Sequence, residues 1–114
     1  MKVAMTGGAE VPGPGDTDGS GTATLTFNHE KGEVCYDITV ANIATPTAAH
    51  IHEGAAGKSG GPKVPFKAVN GAWKGCVSAD KAIIDSIMKN PGNYYVNVHN
   101  SEFPGGAIRG QLGK

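Results

Sequence analysis

The segment TATLTFNHEKGEVCYDITV, residues 22–40, decides the fold. In its first half Ala23, Leu25 and Phe27 alternate with Thr22, Thr24 and Thr26. In its second half Val34, Tyr36, Ile38 and Val40 alternate with Cys35, Asp37 and Thr39. Successive side chains of a strand point to opposite faces, so each half reads as a β-strand with one buried face. Between them Asn28-His29-Glu30-Lys31-Gly32 reads as a hairpin turn closing on glycine.

Outward from this hairpin the same reading continues. Residues 48–53 form a short strand and residues 54–62 a glycine-rich loop. Residues 63–69 and 72–77 make a second hairpin turning at Asn70-Gly71, a strong two-residue turn signal. Residues 79–90 carry the one helix, because Ile83, Ile84, Ile87 and Met88 share a face; Ser78 or Asp80 can cap it, and Asn90-Pro91-Gly92 stops it. Strands follow at residues 93–99 and 107–112, with a loop at residues 101–106 between them. Before the first hairpin, residues 7–21 read as a strand end and a long loop. About seven short strands that do not alternate with helices predict an all-β fold, an antiparallel Greek-key sandwich or barrel.

The chain has 114 residues, which predicts one domain spanning residues 1–114, since two would each be too small to bury a core. Lys plus Arg and Asp plus Glu are 10 each, so nucleic acid and anionic membrane surfaces, which require a basic excess, are not expected partners. Hydrophobic residues at 39% are too many for a disordered chain, and no apolar run is long enough to cross a bilayer. Glycine contributes 18 residues with no triplet period, which fits tight turns between short strands rather than collagen.

The residues richest in chemistry are His50-Ile51-His52. Positions i and i+2 of a strand share a face and stand roughly 6.5–7 Å apart, so one metal ion can bridge the two imidazoles with bonds of about 2 Å. In Tyr94-Tyr95-Val96-Asn97-Val98-His99 the core set is Tyr94, Val96 and Val98, which leaves Tyr95, Asn97 and His99 on the other face. If the two strands are neighbours, His50, His52 and His99 converge on one outward-facing, solvent side. Three neutral imidazoles suit copper, with zinc as the alternative, and suit magnesium or calcium poorly. The competing reading is solvated histidines on a polar face. Arg109 has the same outward parity and could hold an anion at the rim; Tyr95 and Asn97 could support the ligands from behind. His29 falls in a turn, and Glu53 points away from the two histidines.

Other chemistry finds no pattern. Residues 54–59 resemble the end of a phosphate loop, but His52 stands where the first glycine is required and no helix follows. The segment reads instead as a loop placed to gate the His-Ile-His strand. No GxSxG elbow and no carboxylate pair with glycosidase spacing is present. Cys35 and Cys76 both lie in strand-like segments; a disulfide is the simplest reading and two reduced, half-buried thiols are the alternative.

Gly8-Ala9-Glu10-Val11-Pro12, residues 21–25, residues 34–40, Ala48-Ala49-His50-Ile51-His52-Glu53-Gly54-Ala55-Ala56-Gly57, Gly75-Cys76-Val77, residues 94–99 and residues 103–112 occur in an order that resembles the CHRD domain family, named for its occurrence in chordin. The resemblance covers nearly the whole chain. It implies a periplasmic or secreted domain whose leader is missing here, a Cys35–Cys76 disulfide, and an all-β fold similar to copper–zinc superoxide dismutase. That enzyme also uses an HxH strand, a distant histidine and a glycine-rich C-terminal segment with an arginine. This chain departs from the dismutase pattern in lacking a fourth copper histidine, a bridging histidine and a zinc cluster. The expectation is therefore a copper-binding protein, storing or delivering the ion, with a homodimer or a copper-handling protein as partner. A copper-dependent oxidoreductase and a metal-free interaction module are the alternatives.

Overall fold

The computed structural model describes residues 1–10, 15–69 and 71–112. Within the described residues eight strands form one antiparallel sheet: β1 Lys2–Thr6, β2 Ser20–Asn28, β3 Glu33–Ala41, β4 Pro46–Glu53, β5 Pro62–Phe66, β6 Trp73–Ser78, β7 Tyr94–Asn100 and β8 Ile108–Gln111. Among the described residues a single α-helix, α1 Lys81–Lys89, lies between β6 and β7. The spatial order is β5-β4-β7-β8-β1-β2-β3-β6, so the connections from β3 to β4 and, through α1, from β6 to β7 join strands that are not neighbours, while β5 and β6 lie at the two edges. The sheet curls into a nearly closed barrel, the all-β fold that the alternating segments imply.

The β2–β3 hairpin forms as read. Asn28 Oδ1 accepts from the Lys31 backbone N–H at 3.1 Å, and Gly32 takes φ +65, a conformation that suits glycine. Ala23, Leu25, Val34, Tyr36 and Ile38 fall on the core side, with Ile51, Val96, Val98 and Ile108 from the facing strands. α1 covers one end. Asp80 caps it by accepting from Ala82 N–H at 2.8 Å, and Ile84 and Ile87 are buried, while Met88, assigned to the same face, is 53% exposed.

The second hairpin is corrected. Val69 and Ala72 make an isolated bridge around the expected turn, of which Asn70 lies outside the described residues, as do residues 11–14 of the N-terminal loop. The flanking strands then diverge, β5 pairing with β4 and β6 with β3. They are the two edges of the sheet, and the seam between them is closed by side chains. Tyr36 Oη donates to Lys67 O at 2.6 Å and accepts from Lys67 N–H at 3.1 Å, and its ring stacks on Phe66 with centroids 4.4 Å apart. Cys35 and Cys76 are direct partners in the β3–β6 register and form a disulfide across those strands.

Candidate metal centre

Three neighbouring strands build a polar lattice on the face turned away from the apolar core. The register aligns His50 with Asn97 and Arg109, and His52 with Tyr95 and Gln111, across β4, β7 and β8. His99 lies one step further along β7, opposite Ala48. The three imidazoles meet as the alternation requires: ring centroids are 5.3 Å apart for His50 and His52, 5.0 Å for His50 and His99, and 5.8 Å for His52 and His99.

The expected solvent exposure of this face is corrected for His52 and the residues around the triad, while His50 and His99 are half-buried. Tyr95 is 3% exposed, His52 8%, Asn97 2% and Arg109 1%. Residues 54–61 fold back over the lattice and hang from it. Gln111 Nε2 donates to Gly54 O at 2.6 Å, Arg109 Nη2 donates to Ala55 O at 3.0 Å, and Gly60 N–H donates to Tyr95 Oη at 3.2 Å. The segment read as a gate is thus a roof tied to the residues beneath it. Strand parity determines which way a side chain points; whether that side meets water depends on distant backbone.

The hydrogen bonds also set the histidine tautomers. His52 Nδ1 lies 3.0 Å from Gly60 O, and His99 Nδ1 lies 3.0 Å from Pro104 O. A carbonyl only accepts, so in the neutral ring each Nδ1 carries the hydrogen and each Nε2 keeps its lone pair. His52 Nε2, His99 Nε2 and His50 Nδ1 are buried without a hydrogen-bond partner among the described residues. One nitrogen from each ring lies within 4.8 Å of the other two, a grouping that could hold a metal ion. Two metal–nitrogen bonds of about 2 Å each span about 4 Å, so loading requires the rings to close by less than an ångström or so.

Electrostatics keeps these rings neutral. Burial, then the neighbouring His99 and His52, push the His50 pKa down to about 4. Burial likewise lowers His52, against the opposing pull of the Gly60 carbonyl and the Asn97 side chain, with Arg109 adding to the depression. His99 is lowered by burial and by His52, with Pro104 O opposing. Neutral imidazole is the form that ligates metals, so near pH 7 little proton release is needed.

Around the triad the rings stack. His52 and Tyr95 are parallel, and Arg109 Cζ sits 3.5 Å from the Tyr95 ring centre. Two groups at those distances cannot share one face of the ring, so Tyr95 is sandwiched between imidazole and guanidinium. Arg109 Nη2 also donates to Gln111 Oε1 at 3.1 Å. Glu53 pairs with Lys63 at 3.7 Å at the surface, and His29 is exposed, as their positions in the sequence imply. Three contributors escaped the sequence reading: Gln111, Gly60 and Pro104. Only Gln111 had a legible signal, its parity with Arg109.

A family model for the CHRD domain matches residues 1–112. The chain belongs to the CHRD domain family. Among curated proteins and among solved structures nothing matches this CHRD domain. The disulfide is compatible with an extracellular location, and no helix among the described residues is long and apolar enough to cross a membrane.

Proposed function

We propose that this CHRD domain is an exported copper-binding protein that stores or delivers the ion through His50, His52 and His99. The observation that carries the reading is the convergence of three buried ring nitrogens that have no hydrogen-bond partner among the described residues. A buried polar atom left unpaired costs about 1–3 kcal/mol, and three in one place are explained by an ion that satisfies all of them. An all-imidazole set suits copper or zinc, and copper binds the more tightly of the two. The disulfide fits an oxidising compartment outside the cytoplasm. Arg109, Tyr95 and Asn97 surround the ligands and fix their orientation, and delivery would pass the ion to a copper-handling partner protein.

The test is titration of the metal-stripped chain with copper, using a competing chelator. One equivalent should bind tightly, and His50→Ala, His52→Ala and His99→Ala should each weaken binding by more than about a hundredfold. Unchanged affinity in the triple variant would sink the assignment.

A further inference from the structure

We propose that Arg109 biases the three-histidine site toward a monovalent ion, so that it holds copper as copper(I) in preference to copper(II) or zinc(II). The inference rests on the metal reading above. Three neutral imidazoles add no charge, and among the described residues no carboxylate joins the cluster. The loaded site therefore carries the full charge of its ion, one unit for copper(I) and two for the divalent competitors.

Arg109 places a fixed positive charge beside that ion. It is 1% exposed, Nη2 donates to neutral acceptors on Ala55 and Gln111, and Nη1 has no hydrogen-bond partner among the described residues. The guanidinium lies across Tyr95 from His52. The two stacking distances put it about 8 Å from the His52 ring, where one further unit of like charge on the ion weakens binding by ten- to thirtyfold at an effective dielectric constant of about 20. Glu10, buried beside Arg109, attracts it and offsets part of this, leaving about tenfold. Burial limits screening by salt. Coordination number acts in the same sense, because copper(I) is stable with three ligands whereas zinc fills a fourth position.

The full chain and the variants Arg109→Gln, Arg109→Lys and Glu10→Gln are titrated with copper(I) and with zinc(II) against chelators of known affinity. Their folding is checked by circular dichroism, and the copper(II)/copper(I) midpoint is measured at an electrode that supplies the electron. Both ions use the same three histidines, so the ratio of their affinities cancels distortions of those shared ligands. Arg109→Gln should cut the copper(I)-over-zinc ratio about tenfold and lower the midpoint by about 60 mV, the one-electron equivalent of tenfold. Arg109→Lys keeps the charge and should hold the ratio within threefold. Glu10→Gln removes the offsetting charge and should raise both ratio and midpoint, which decides the matter even if Arg109→Gln does not fold. Ratios equal within threefold in every folded variant, or a fall in Glu10→Gln, would overturn the proposal while leaving metal binding intact. A wild-type chain that binds neither ion overturns the site itself.

Discussion

His52 and Tyr95 stack face to face, with ring planes 2° apart and centroids separated by 4.9 Å. The contact links the triad to its roof, because Tyr95 Oη accepts from Gly60 N–H while His52 Nδ1 donates to Gly60 O. One loop residue is therefore held by both members of the stack. Tyr95→Phe keeps the stack and removes the hydroxyl. It should cost about 1 kcal/mol, speed amide exchange at Gly60 and weaken copper binding three- to tenfold. Exchange followed by NMR, beside the titration, reads both effects; an unaltered Gly60 rate would show that the roof does not depend on this bond.

Acid should destabilise the metal-free chain through its triad histidines. All three triad histidines have depressed pKa values, His50 down to about 4, whereas the unfolded chain takes up protons on its histidines near pH 6.5. Between those values the unfolded state binds more protons, so stability is at its full value above about pH 6.5 and is lost as pH falls toward 4. The rings are only partly buried, which reduces the expected loss at His50 to about 1–2 kcal/mol. Urea melts at pH 7.5, 5.5 and 4.5 should show the fall, and His50→Gln should flatten it.

The boundary between what the sequence specifies and what it leaves open follows the range of the interactions. Strand alternation is local, and it placed His50, His52, His99, Tyr95, Asn97 and Arg109 on one face. The exposure of that face is set by Gln111 and Arg109 reaching Gly54 and Ala55 across more than fifty residues of chain, which no periodicity encodes. The tip at Gly71 was legible from its turn chemistry. The partners of β5 and β6 were not, because β5 pairs back with β4 and β6 with the distant β3 rather than with each other across their turn, a choice that the alternation within either strand does not encode.

The disulfide and the triad occupy different parts of the sheet, β3–β6 and β4–β7, and should be energetically separable. Closing a loop with a sequence separation of 41 stabilises by about 4 kcal/mol in the chain-entropy model, and residual structure in the unfolded state reduces this. The double variant Cys35→Ala, Cys76→Ala should lose 2–4 kcal/mol in chemical denaturation while keeping copper affinity within threefold. A large drop in affinity in the folded double variant would mean that the two regions are coupled.

The roof can be tested at its tightest point. A Cβ on Gly60 would collide with the backbone carbonyl of Glu53, which ends the strand carrying His50 and His52. Backbone cannot yield as a flexible side chain does, so Gly60→Ala must lift the loop. His52 Nδ1 then loses its acceptor, the ring is free to turn, and the tautomer that leaves Nε2 unprotonated is no longer enforced. Loss of such an orienting bond lowers metal affinity by about 10- to 100-fold. Gly57→Ala supplies the comparison, since its Cβ meets nothing within 4 Å. Its φ of +81 still carries the strain of a left-handed residue, so it should cost about 1 kcal/mol of stability. Copper affinity should fall by at least tenfold in Gly60→Ala and by less than threefold in Gly57→Ala. Equal losses in the two would point to general loosening of residues 54–61 rather than to the bond between Gly60 and His52.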